Sequence, residues 1–152
     1  MNSLIKKIVK RFKRKFSSTE YWEQRYQSGG NSGSGSYNHL ADFKANFIND
    51  FITKYNVHSA VEFGCGDGNQ LSLIKYPKYH GLDVSQTSIK ICQHKFNHDS
   101  TKSFQVYNPY AFKIEGKGKH DLSLSLDVIY HLVETELFNL HMIHLFQSAS
   151  RF

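Results

Sequence analysis

Apolar positions recur along this chain with two different periods. Leu4, Ile5, Ile8, Val9, Phe12 and Phe16 stand at helical spacing, with cations in most of the positions between them. That is the pattern of a basic amphipathic helix, a membrane-surface or partner-binding element. Leu40, Phe43, Phe47, Ile48, Phe51 and Ile52 repeat in the same way. They predict a second amphipathic helix over 39–55, with those side chains on its buried side. Between these two, Ser17-Ser18-Thr19-Glu20 offers helix caps for a short helix over 20–27. Short apolar runs at 57–63, 78–84, 103–107 and 121–126 predict four strands. Helical segments lie between and after them: 71–76, closed by Pro77, one capped by Ser85 that runs to about 96, and 135–150. Strands alternating with helices predict an α/β fold with a parallel, doubly wound sheet.

The turn after the first strand carries the chemistry. It reads Val61-Glu62-Phe63-Gly64-Cys65-Gly66-Asp67-Gly68, with a helix predicted to open near Asn69. Glycines at alternate positions allow positive φ and let a ligand lie against the main chain. A strand, a glycine turn and a helix N-terminus make a cofactor cradle at the carboxyl edge of a parallel sheet. A dinucleotide fingerprint would place its third glycine at position 69, where this chain has Asn69. No Gly-Lys-Ser/Thr follows, so the turn is not a P-loop. The second strand ends in Asp83, 19 residues after Gly64. An acid at that place can accept hydrogen bonds from ribose hydroxyls.

The pattern Glu62-x-Gly64-x-Gly66-x-Gly68 resembles motif I of the Rossmann-like, S-adenosylmethionine-dependent methyltransferases of class I. The stretches Tyr21-Trp22-x-x-Arg25-Tyr26, Gly29-Gly30-Asn31-Ser32-Gly33-x-Gly35-Ser36, Leu40-Ala41-x-Phe43-Lys44 and Ser125 to Leu132 resemble a bacterial group. Members of that group often accompany sugar, polysaccharide or natural-product biosynthesis. Three parts are then expected: a basic helix over 1–16, a helical cap with a Gly/Ser loop over 17–56, and the Rossmann-like domain over 57–152. By composition the Gly/Ser loop is a flexible linker; the resemblance makes it a lid over the cofactor.

The resemblance implies S-adenosylmethionine as cofactor and a small-molecule or saccharide-type methyl acceptor. Gly64, Cys65, Gly66 and Gly68 would form the cradle, with Cys65 a small filler inside it. Glu62 would support the loop and reach the cofactor's ammonium group. Asp83 would hold the ribose, and Val84 would pack on the adenine. Asn108 is either an adenine contact or an ordinary turn residue before Pro109. Asp127, at the end of strand four, marks the reacting centre. His131, four residues on, is either a base for the acceptor's proton or a polar residue packed under the cofactor. The family sheet runs 3-2-1-4-5-7-6, and only four strands are predicted here. A C-terminally truncated, incomplete sheet is therefore expected, with strand four an open edge prone to self-association. The alternative function is a non-catalytic module for membrane or protein attachment.

Charge refines this picture. The net charge of the 152-residue chain is +6, but residues 1–16 alone hold seven Lys or Arg and no acid. The remainder is close to neutral, so no nucleic-acid partner is expected. The two cysteines, Cys65 and Cys92, fit a reducing cytoplasm. With the basic segment, peripheral contact with the inner face of the membrane is expected. His94 with His98 and His141 with His144 share helix faces. Neither pair has further ligands nearby in sequence, and no metal site is expected.

Overall fold

The structure, a computed structural model, describes residues 16–113 and 119–152. The basic segment over 1–15 lies outside the described residues. Four strands form one parallel sheet: β1 Ala60–Phe63, β2 Tyr79–Asp83, β3 Lys102–Val106 and β4 Leu122–Leu124. Their order is β3-β2-β1-β4, the first four places of the order expected from the resemblance. The helices are α1 Ser18–Gln27, α2 Asn38–Tyr55, α3 Gln86–Lys95 and α4 Thr135–Gln147. Ser17 caps α1 by accepting from the Glu20 N–H at 3.2 Å. Ser85 caps α3 by accepting from the Ser88 N–H at 3.1 Å.

β1 is buried along its whole length, as a central parallel strand must be. One core cluster packs α2, the glycine turn and α3 on the sheet through Ile48, Ile52, Leu71, Tyr79 and Ile89. A smaller cluster, around Val61, Phe63, Leu82 and Tyr107, receives Leu145 from α4 on the other side. Each fully buried aliphatic or aromatic side chain here contributes roughly 1.5–3 kcal/mol.

Three expectations change. The helix after the glycine turn is a single 3₁₀ turn, Leu71–Leu73, after which Ile74 is extended. Pro77 also biases the residue before it, Tyr76, away from helical geometry. Second, α2 buries Ala41, Ala45, Ile48 and Ile52, while Phe43 and Phe47 are 72% and 66% exposed. Ala41 is fully buried on that side, and its carbonyl accepts from Gln70 Nε2 at 3.0 Å. Third, the β4 edge is not open along its length. The Ser123 N–H donates to Phe152 O at 2.9 Å and the Phe152 N–H to Asp121 O at 2.9 Å. His120 pairs with Ala149 in a parallel bridge.

Candidate active site

At the carboxyl end of β1 the chain leaves the sheet through Gly64. The N–H groups of Gly64 and Cys65 both donate to Leu82 O, at 2.7 and 3.0 Å. Gly64, Gly66 and Gly68 have φ of 91°, 56° and 71°, a region that favours glycine. The resulting bend turns the Gly66 N–H toward β2, where it donates to Asp83 Oδ2 at 2.9 Å. The Ser85 N–H donates to Asp83 Oδ1 at 2.8 Å. Burial pushes the Asp83 carboxyl above its ordinary pKa, and these two backbone donors work against that shift.

The Gly/Ser loop lies on this turn. Ser32 N–H donates to Asp67 Oδ2 at 2.9 Å, and the Asp67 N–H donates back to Ser32 Oγ at 3.0 Å. The Tyr37 hydroxyl donates to the same Asp67 oxygen at 2.9 Å, and Asn69 Nδ2 donates to Ser36 O at 2.7 Å. So the loop is strapped to the turn at several points and is no free linker. Helix α1 is tied down as well. The Glu23 carboxylate accepts from the Ser85 hydroxyl at 2.6 Å and from the Thr87 hydroxyl and N–H at 2.7 and 3.2 Å. Slight burial raises the Glu23 pKa, but these donors outweigh it and hold the carboxyl at about 2.

Between α1, the loop and the sheet edge lies a cleft of about 740 Å³, solvent at its mouth included. Gly64, Gly66, Asp83, Val84, Asp127 and His131 line it. Six of the residues named from sequence therefore converge on one cavity. Asp127 sits in the left-handed region at φ 57° and forms an ion pair with Lys44 from α2. His131 meets the Trp22 ring edge-on, with centroids 5.1 Å apart. Partial burial lowers the His131 pKa, as does Arg25, while Asp127 raises it. The net effect is a His131 pKa below its ordinary value.

The other named residues sit elsewhere. Glu62 is buried beneath the turn and accepts from the Tyr79 hydroxyl at 2.7 Å, which fits support of the loop. Burial raises its pKa to about 7, against the Tyr79 hydrogen bond and the Lys44 charge. Cys65 points into the core beside Cys92, the filler role. Gly68 is fixed by packing, because a Cβ there would lie 2.7 Å from Phe96 Cε2. Asn108 is exposed, and its Oδ1 accepts from the Tyr110 N–H at 3.1 Å. That bond fits the turn role, and its neighbours Tyr107 and Pro109 line the cleft.

The matching family model is described as a methyltransferase domain and covers residues 61–144. The chain belongs to the methyltransferase domain family. Solved methyltransferases have the same fold. One is the N-methyltransferase NodS from Bradyrhizobium japonicum with bound S-adenosylhomocysteine (TM-score 0.67, 12% identity, 89% of this chain and 69% of that one). The magnesium protoporphyrin IX methyltransferase of Synechocystis gives 0.63 at 15% identity, over 90% and 74%. CalS10, an amino pentose methyltransferase of Micromonospora echinaspora, gives 0.59 at 14%, over 86% and 52%. The chain spans 52% of CalS10 and 63% of the bacterial Hen1 methyltransferase domain it also matches. No curated protein matches it.

The family's cofactor is S-adenosylmethionine, and the residues present fit it. At Gly66 a Cβ would lie 2.9 Å from the Tyr26 hydroxyl and would also strike Ser32, so the bare backbone lets helix α1 and the Gly/Ser loop close directly on the turn. Beside it, Asp83 presents carboxylate oxygens with lone pairs beyond those used by Gly66 and Ser85. Sequence reasoning did not place Trp22, Tyr26, Tyr107 and His141 in the site, yet they also line the cleft. Tyr21-Trp22-x-x-Arg25-Tyr26 was visible as a motif, but nothing in its spacing showed that α1 folds back over the sheet edge. His141 is buried and exchanges a hydrogen bond with Ser125 Oγ at 2.9 Å. Burial, with His144 nearby, lowers its pKa to about 4. Among the described residues no cluster of three or more potential metal ligands occurs.

Proposed function

We propose that this chain transfers a methyl group from S-adenosylmethionine to a hydroxyl or amine of a small, saccharide-type acceptor. The observation that carries this is the hydrogen bond between Gly66 and Asp83 at the floor of a cleft that also contains Asp127 and His131. When bound, the cofactor supplies an activated methyl group whose departure leaves a neutral thioether. The protein then has two tasks: to align the acceptor and to take its proton. Asp83 is placed to accept from ribose hydroxyls, and Gly64 and Gly66 give the backbone room to approach. Val84, at the rim beside Asp83, offers an apolar surface for the adenine. His131, neutral and on the same cleft wall as Asp127, accepts the acceptor's proton. Trp22 adds an aromatic wall on which the C–H face of a sugar ring can pack.

Trp22 is the single tryptophan of the chain and lines the cleft, so it reports on binding. Titration with S-adenosylhomocysteine is expected to change its fluorescence saturably, and NAD is expected to leave it unchanged. Tight NAD binding with no response to S-adenosylhomocysteine would sink the proposal. Transfer of a labelled methyl group to a panel of amino sugars and hydroxyl sugars then tests the acceptor class.

A further inference from the structure

Lys44 lies on the inward side of α2. It is three residues after Ala41 and four before Ile48, both buried, so it shares their helix face. Lysine is seldom found on such a face without a partner. Its ammonium pairs with the Asp127 carboxylate, and the two side chains are only 19% and 30% exposed. The same ammonium lowers the pKa of buried Glu62, so its field reaches the ends of both β1 and β4. Asp127 holds a left-handed backbone conformation, which costs roughly 1 kcal/mol outside glycine and persists only where the surroundings fix it. Gly35 of the Gly/Ser loop rests directly on the Asp127 carboxylate, where any Cβ would collide with it.

We propose that Lys44 is the positioning residue of the site: it fixes the Asp127 carboxylate at the cleft mouth and, through Gly35, holds the Gly/Ser loop closed against it. The inference rests on the methyltransferase reading above. It divides the labour in the cleft. Asp127, paired with Lys44, keeps the loop in place, and His131 is left as the proton acceptor. It also explains why the loop is short of bulky residues at position 35: the carboxylate and the loop backbone must touch.

The test is a double-mutant cycle read by Trp22 fluorescence, with dissociation of S-adenosylhomocysteine followed by stopped flow. Lys44→Met and Asp127→Asn are each expected to speed dissociation about tenfold, since lost contacts of this kind act mainly on the off-rate. The double variant is expected to be no worse than either single one, because the two act as a unit. Lys44→Arg, which keeps the charge, is expected to stay within about twofold of wild type. Lys102→Met, which breaks the remote Lys102–Asp99 pair, is the control. Asp127→Asn keeps a residue that tolerates the left-handed region, so it remains informative if Lys44→Met does not fold. Hydrogen exchange at the amides of residues 32–36 is a second readout that needs no ligand. It is expected to quicken in Lys44→Met and Asp127→Asn alone. Off-rates and exchange at wild-type values, or effects that multiply in the double variant, would overturn the inference. If wild type ignores S-adenosylhomocysteine while loop exchange still responds to Lys44→Met, the methyltransferase reading fails and the ion pair's positioning role stands.

Discussion

Gly66 and Asp83 are joined by one hydrogen bond, from the backbone N–H of the glycine to Oδ2 of the acid, 2.9 Å long. The bond links the two most informative features of the sequence, the glycine turn and the acid 19 residues after its first glycine. It holds the turn to the end of β2, and it leaves the other lone pairs of the carboxylate at the cleft. Asp83 therefore has a structural role in the turn, beside the ligand-holding role proposed for it.

Asp83→Ala should lose both. S-adenosylhomocysteine is expected to bind more weakly by about 1–3 kcal/mol, the range for charge-assisted hydrogen bonds. The melting temperature should also fall, because the N–H groups of Gly66 and Ser85 lose their buried acceptor. Calorimetric titration and a melt on the same sample separate the two effects. Undiminished affinity would mean that Asp83 serves the turn alone.

Gly66→Val should be worse for the cleft than for the core. At φ 56° a β-branched residue is strained by roughly 1–3 kcal/mol. Its Cβ would also displace Tyr26 and Ser32. The expected result is a folded protein with no measurable S-adenosylhomocysteine response and faster hydrogen exchange at Ser32. Normal binding would place the ligand away from the glycine turn.

What was legible in the sequence was whatever is encoded locally. The strand at 60–63, the glycine turn and the Ser85 cap all follow from backbone requirements of a few adjacent residues. The buried side of α2 was not legible. A hydrophobic count favours Phe43 and Phe47, whereas the helix buries the small side chains of Ala41 and Ala45 together with Ile48 and Ile52. The short turn after Gly68 was not legible because Leu71 to Tyr76 has a helical composition, yet the chain is extended from Ile74. The roles of Glu23 and Lys44 were hidden because their partners, Ser85 with Thr87 and Asp127, are distant in sequence. Asn108 sits beside the cleft in sequence, but its side chain is used by its own turn.

Glu62 gives a pH dependence whose sign can be worked out. Its folded pKa is about 7, raised by burial from 4.5. Between those values the folded state binds more protons than the unfolded state, so this group's contribution to stability falls as pH rises. The loss across the window is about 3 kcal/mol at most. Glu62→Gln keeps an acceptor for the Tyr79 hydroxyl and removes the titration. Denaturant melts of the variant minus wild type should show a difference that grows from pH 4.5 to 7. A flat difference would place the Glu62 titration outside that window.

Residues 1–16 are expected to bind anionic vesicles reversibly. Seven cations and an apolar stripe motivate this, each cation near the surface contributing roughly 1 kcal/mol at low salt. Among the described residues no helix is long and apolar enough to cross a membrane. Vesicle sedimentation should drop when the segment is deleted and when salt is raised. Sedimentation unchanged by the deletion would refute the idea.

The C-terminal residues should control self-association. Phe152 exchanges hydrogen bonds with Asp121 and Ser123 along the β4 edge, and its ring meets Phe51 edge-on at 5.2 Å. Arg151 donates to the carbonyls of Tyr55 and Asn56, at 2.9 and 3.2 Å, which satisfies the end of α2. Removing residues 149–152 would leave the outward N–H of Ser123 and the carbonyl of Asp121 unpaired on an exposed strand, a template for a second chain. Light scattering after size exclusion should then show larger species than for the full chain, increasing with concentration. A second change isolates the edge from the loss of packing. Ser123→Pro in the shortened chain removes the outward donor, and proline is tolerated on an edge. That variant should elute as a smaller species again. If the shortened chain elutes like the full one, the tail does not guard the edge. If Ser123→Pro fails to reverse association, the contact between copies lies elsewhere, with exposed Phe43 and Phe47 the first surface to mutate.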